Sequence, residues 1–396
     1  MKSTKKLSPR NKLFFLSFVH GVVDTYGTIL PHLLPQLLAG FSIEAVLYNT
    51  IAGRLIAIST VFNSLSQLAF GWISDRVRSV HFLTLGILLP SVCISLLGFA
   101  PSISVVVLLL SISGIGIASF HPQATAQAAN FTGQGRSANV SIFITGGNVG
   151  QAVGPFLIII ILSYYNNLTY LPVCVIPGII SALFTNQFLK PKPIEVANRT
   201  ESSDTRSSLN SDYHSKIAPL IGLYMVAMLR TVTTIGLISY LSLQLDSLGY
   251  KNIARSGILA SFTFAGSMGI LFGGRVSDRI SGVIILCVSL VTAAPILYIS
   301  ISLSNNNRLL FIMFLLFGNF ILSSSVPANI VMGQQLLPNN QNLATSFMMG
   351  AAWGVAGLLN YPIGMLADQF GRVSILKALT LLPVFTAFFP LLIRKK

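Results

Sequence analysis

The sequence predicts an all-α membrane protein of twelve transmembrane helices in two pseudo-symmetric halves of six. Three observations carry that prediction. Only 9% of the 396 residues are charged and 53% are hydrophobic, with a mean hydropathy of +0.75, whereas soluble domains are about 25% charged. Apolar runs of about 20 residues, the length that spans a bilayer, recur along the whole chain. Short motifs of the first half return in the second at nearly constant spacing.

The runs fall near 13–38, 48–73, 81–100, 104–128, 138–163, 168–189, 217–245, 254–276, 283–303, 308–332, 343–367 and 374–393. The N-terminus, "MKSTKKLSPRNKLFFLSF", is basic and then apolar like a signal peptide. Its apolar stretch continues to about Leu38 without a small-residue cleavage site, so it reads as a retained first helix. Residues 190–216 form the one long polar interruption, Ser-rich and mixed in charge, as expected of a flexible cytoplasmic linker. It separates an N-terminal half, 1–189, from a C-terminal half, 217–396.

The net charge of +15 does not point to nucleic acid, because the positives lie in short segments between apolar runs and at both ends. Placing both termini in the cytoplasm leaves Lys251, Arg255, Arg308, Arg372 and Lys377 outside, and Arg54 and Arg230 within spans. The other 18 of the 25 basic residues then collect on the cytoplasmic side, as the positive-inside rule requires. Cys93, Cys174 and Cys287 fall in apolar runs with no Cys-x-x-Cys pair and read as packing residues.

Internal repetition is the sharpest signal. "GWISDR" at 71–76 recurs as "GRVSDR" at 274–279, and Pro122 matches Pro327. "ANVS" at 138–141 parallels "ATS" at 344–346, and "GPFL" at 154–157 parallels "YPIG" at 361–364, all at offsets between 203 and 207 residues. Parallel six-helix repeats with a site between them at mid-bilayer are one established transporter plan. In the repeated loop, Gly71 and Gly274 remove side chains where helices approach closely. Asp75 can cap the helix that follows and pair with a cation on a neighbouring helix, while Arg76 faces the cytosol; a short charged turn is the bland alternative, which the repeat at Gly274, Asp278 and Arg279 disfavours. In "GGNVGQAVGP", 146–155, Gly146, Gly150 and Gly154 share one helical face, so another backbone can come close, and Pro155 bends the helix.

Together these motifs resemble the major facilitator superfamily. The loop at 71–79 is similar to that superfamily's Gly-x-x-x-Asp-Arg pattern between helices 2 and 3, which implies a latch steadying an outward-open state. "GGNVGQAVGP" resembles the helix-5 element of its proton-coupled exporters, with Ile158 and Ile159 where the usual element has glycines. His20-x-x-x-Asp24, Gln67, "FHPQATAQA" at 120–128 and the helix-5 element together resemble the fosmidomycin-resistance family. Gln123 stands where that family carries an acid, Ala126 where it carries an arginine, and Arg54 is foreign to its pattern.

Asp24 is the one acid of ten that lies deep in a span, and His20 is one turn away on the same face. Intramembrane ionisable residues mark ion or substrate routes by default, so Asp24, His20 and His121 are expected to couple protons; a buried tether between helices is the alternative. Arg230, on the first helix of the second half, and Arg54 are candidate grips for an anionic substrate. Gln123, Gln127 and Asn148 are expected to line the same cavity. His32 is read as interfacial, and His81 and His214 as cytoplasmic.

These readings imply a secondary active transporter of a small organic molecule working by alternating access, with proton-coupled efflux of a drug or metabolite leading. An importer or exchanger of an anionic metabolite is the alternative. The proton is the expected coupling ion, with no organic cofactor and no resident metal. A monomer in the bacterial inner membrane, its partners the bilayer and the substrate, is expected. No Gly-x-x-x-x-Gly-Lys-Ser/Thr loop and no His-Glu-x-x-His helix occurs, which argues against ATP-driven pumping and zinc enzymes.

Overall fold

The computed structural model describes residues 7–41, 45–77, 79–165, 167–189 and 205–389. The first half holds α1 (Pro9–Ala39), α2 (Ala45–Arg76), α3 (His81–Leu96), α4 (Ile103–Asn130), α5 (Arg136–Tyr165) and α6 (Val175–Phe188). The second holds α7 (Thr205–Ser247), α8 (Asn252–Ser277), α9 (Gly282–Leu303), α10 (Arg308–Leu336), α11 (Gln341–Phe370) and α12 (Arg372–Thr386). Ten of the described helices are long and apolar enough to cross a membrane; α5 and α12 complete the twelve.

Helix ends follow local chemistry. Ser8 caps α1 by accepting from the Asn11 N–H at 3.2 Å, and Asn307 caps α10 by accepting from Leu310 at 3.0 Å. The linker differs from expectation. Residues 205–216, assigned to it by composition, begin α7, a continuous helix of 43 residues. At 1.5 Å per residue such a helix is about 65 Å long, more than a bilayer needs, and its polar first turns extend it beyond the membrane. Residues 190–204 lie outside the described residues.

Two apolar clusters explain how the halves sit. One joins Leu13, Leu16, Ala128 and Val140 of the first half to Ile330, Val331 and Met348 of the second, and in the second half alone it runs on to Phe311. The other, around Ile29, Leu33, Leu55, Leu110 and Leu171, belongs to the first half alone. Its residues come from the end of the bundle opposite the chain's N-terminus. The halves therefore share a core at the end where α1 begins, called here the terminal face, and part towards the other. Exposed Phe18, Leu65, Phe156, Leu183, Leu309 and Phe385 form part of an outer apolar surface suited to lipid.

Candidate functional site

Close packing of α1 on α5 builds the site. Side chains at Gly146, Gly150 and Gly154 would collide with Ser17, Gly21 and Thr25 or Thr28 of α1, so only glycine lets these backbones meet. Thr25 secures the seam by donating to the Gly150 carbonyl at 3.0 Å. This seam sets Asp24 of α1 against Gln151 of α5, whose Nε2 donates to Asp24 Oδ2 at 2.9 Å.

α4 supplies the third wall. His121 Nε2 lies 3.1 Å from Asp24 Oδ1, and His20 Nε2 lies 3.4 Å from Asp24 Oδ2. All three residues are buried, at 2% exposure for His20 and 8% for Asp24 and His121. His20 also stacks on Phe143, with centroids 4.0 Å apart and planes 9° apart. Gly147 completes the enclosure: a Cβ there would stand 2.5 Å from His20 Cε1 and 2.7 Å from Asp24 Oδ2.

Valence restricts where protons can sit. His20 Nδ1 donates to the Phe143 carbonyl at 2.8 Å, and His121 Nδ1 donates to the Ile117 carbonyl at 2.9 Å, since a carbonyl only accepts. A neutral ring so fixed turns a bare lone pair from Nε2 towards the Asp24 carboxylate, which is itself an acceptor. The 3.1 Å contact is a hydrogen bond only when the cluster holds one proton beyond two neutral rings and a carboxylate. The arrangement is three convergent acceptors, a set that a proton or another cation would bridge.

The second half answers with the opposite charge. Arg230 on α7 is 206 residues beyond Asp24, and Ser325 on α10 is 204 beyond His121, within the range of the repeat. Arg230 Nη1 donates to Ser325 Oγ at 3.2 Å, so the α1–α4 contact has an α7–α10 counterpart. Arg230 is 4% exposed, and no described carboxylate lies within salt-bridge distance of it. A guanidinium buried with one hydroxyl partner is a ready grip for an anion.

The repeated loops close the terminal face symmetrically. Asp75 accepts from the N–H groups of Asn342 and Leu343, at 3.0 and 2.9 Å, at the start of α11. Asp278 accepts from Ser137 and Ala138, at 2.9 and 2.8 Å, at the start of α5. Each loop thus caps a helix of the other half, and Asp75 does not cap the helix that follows it, α3, which has no side-chain cap; the carboxylate also meets the positive end of the helix dipole. Gly71 lies against Asn342 and Ser346, and Gly274 against Ser137 and Ser141, with no room for a Cβ. Arg136 Nη2 adds bonds to Gln334 and Gln341, at 3.1 and 3.2 Å.

The remaining expected residues make other contacts. Gln123 donates to the Ser79 carbonyl at 2.9 Å and ties α4 to the α2–α3 loop. Asn148 Nδ2 donates to Ser267 Oγ at 2.7 Å, linking α5 to α8 across the halves. Arg54 is exposed on α2 and pairs with no described carboxylate. Arg76 is exposed and lies over the Trp72 ring at 3.8 Å, and Arg279 is exposed. Pro155 is half-buried beside Gly154. The His32 side chain and that of His214 lie outside the described residues, and His81 is exposed. Sequence reasoning missed Gln151, Gly147, Phe143 and Ser325. Gln151 was findable, since it follows Gly147 by four residues in the helix-5 motif and so shares its face.

Comparison with known proteins agrees with this architecture. The chain is 24% identical over 400 residues to the fosmidomycin resistance protein of Escherichia coli (strain K12), covering 98% of this chain and 95% of that protein. It is 23% identical over 376 residues to the uncharacterized MFS-type transporter YfnC of Bacillus subtilis (strain 168), covering 94% and 90%. Among solved structures, the E. coli fucose:proton symporter FucP superposes with a TM-score of 0.74 at 13% identity, covering 98% of this chain and all of that one. A double-tryptophan mutant of XylE gives a TM-score of 0.71 at 13% identity, covering 96% and 94%. The family model of the Major Facilitator Superfamily matches residues 13–360. The twelve-helix fold, the duplicated loops and this match place the chain in the Major Facilitator Superfamily, a family of membrane transporters and not of enzymes.

Proposed function

We propose that the protein is a proton-coupled exporter of a small organic molecule, working as a monomer in the bacterial inner membrane with both termini cytoplasmic. The Asp24 cluster carries this reading: its histidines are oriented so that it needs an added proton to satisfy its contacts. With the basic terminal face in the cytoplasm, the paired Asp75 and Asp278 latches correspond to an outward-open state. A proton from outside then loads the cluster, neutralises Asp24 or charges His121, and alters the balance between the two states. The name of the E. coli relative, a fosmidomycin resistance protein, supports drug efflux as the direction.

The test is transport by the protein in reconstituted vesicles. Asp24→Asn is expected to abolish proton-gradient-driven accumulation while substrate exchange at equal pH continues. Gradient-driven accumulation at the wild-type rate in a folded Asp24→Asn protein would overturn the proton role.

A second reading rests on Arg230, buried with Ser325 and without a carboxylate. It favours an anionic cargo and leaves import or exchange of an anionic metabolite as the competing direction. A substrate counter-gradient that drives flux with no effect of pH would select that exchanger.

A further inference from the structure

The Asp24 cluster also meets the requirements of a transition-metal site. His20, Asp24 and His121 each offer a ligand atom within 4.8 Å of the others, and all three residues are buried. Metal-ligating histidines characteristically donate their other ring nitrogen to a carbonyl or carboxylate, which fixes tautomer and orientation. Both rings here do so, to Phe143 and Ile117. His20 Nε2 is buried and makes no hydrogen bond, yet it is aimed at the carboxylate.

The spacing is close to what a metal needs. Each imidazole nitrogen meets its own Asp24 oxygen, at 3.4 Å for His20 and 3.1 Å for His121, and one ligand atom from each residue lies within 4.8 Å of the others. A bound ion would draw them in to the edge of about 3.3–3.4 Å of a tetrahedron built on zinc–ligand bonds of about 2.0–2.1 Å. Two imidazole nitrogens and one carboxylate suit Zn²⁺ or Co²⁺, whereas Ca²⁺ and Mg²⁺ prefer six or more oxygens. Gln151 orients the carboxylate from outside the ligand set. The Asp24 and His121 side chains keep 9% and 11% of their surface accessible, which provides the way in.

We infer that His20, Asp24 and His121 form a three-ligand site for a zinc-class divalent ion, leaving a fourth position for water. This rests on the ligand set alone and stands whether or not the proton reading does.

The test uses full-length protein in detergent, stripped with a chelator and titrated with ZnCl₂ in a calorimeter. One Zn²⁺ per chain is expected. Binding should vanish in Asp24→Asn and His121→Gln, and weaken about 10–100-fold in Gln151→Leu, which removes only the orienting amide. It should survive in a protein carrying His32→Gln, His81→Gln and His214→Gln together. Absent binding by folded wild type, stoichiometric binding retained in folded Asp24→Asn, or loss in the triple variant each overturns the site. If the single variants do not fold, the visible spectrum of Co²⁺-loaded wild type decides. Intense tetrahedral bands support the site, and the weak bands of hydrated Co²⁺ overturn it. None of these readouts involves transport, so failure here leaves the proton reading separately testable.

Discussion

Gly147 illustrates how far a single missing side chain can govern the site. Its absent Cβ leaves space that His20 and Asp24 fill, 2.5 and 2.7 Å from where that atom would be. Gly147→Ala is therefore expected to displace the cluster and destabilise the protein by about 1–3 kcal/mol, as overpacking does. Gly357→Ala, whose Cβ would meet Thr60 at an ordinary 3.7 Å, should leave thermal stability and transport close to wild type. Equal losses in the two variants would refute the packing argument. Arg230 acts at the same scale. A charge-assisted hydrogen bond is worth about 1.5–3 kcal/mol, so Arg230→Gln should weaken binding of an anionic substrate at least about tenfold. A neutral substrate analogue should bind both proteins alike, and calorimetry or competition binding distinguishes the cases.

At the level of elements, the seam between α1 and α5 does the positioning. Glycines every four residues on α5 allow backbone contact, and that contact places Gln151 and the Phe143 carbonyl within reach of Asp24 and His20. The crossing of α11 on α2, by contrast, joins the two halves. α11 carries a wide π-type turn at Phe347–Ala351 where Gly350 lies against Gln67 of α2, and such turns often mark functional positions in helices. Each terminal loop then clips one helix of the opposite half. Asp75→Asn and Asp278→Asn should each weaken closure of the terminal face by about 0.5–2 kcal/mol, the usual worth of a lost cap. Spin-label distances across that face should report a larger inward-open population in each variant. An unchanged distribution in both would show that the caps do not hold the gate.

Across the whole molecule, the shared core at the terminal face and the separate cluster of the first half's other end define a bundle open on one side. Pseudo-symmetry gives both latches the same geometry, yet the duplicated positions 24 and 230 carry opposite charges. Two similar halves can rock about the centre, while the equivalent buried positions of the two halves present opposite charges. Combining Asp75→Asn with Asp278→Asn should change the free energy of closure by the sum of the single effects, since the two caps sit on different helices, α11 and α5.

Much of this was legible in the chain. Hydropathy and length dictate helices, because a lipid-exposed backbone must satisfy its own hydrogen bonds, and a near-constant offset exposes the duplication. Asp24 stood out because an isolated acid in a span is costly. The partners of Asp24 were less accessible. His121 and Gln151 lie 97 and 127 residues away, and no local period connects them. Composition also suggested Gln123 and Asn148 as cavity residues, although Gln123 ties α4 to a loop and Asn148 links α5 to α8. Polarity in a span signals that a partner is needed without saying whether a loop, a helix or a ligand provides it. By itself the sequence determined the helices, their pairing into halves and the residues that carry charge in the membrane. Only the tertiary structure decided which of those residues meet, because that depends on helix approach distances set by glycines on facing helices.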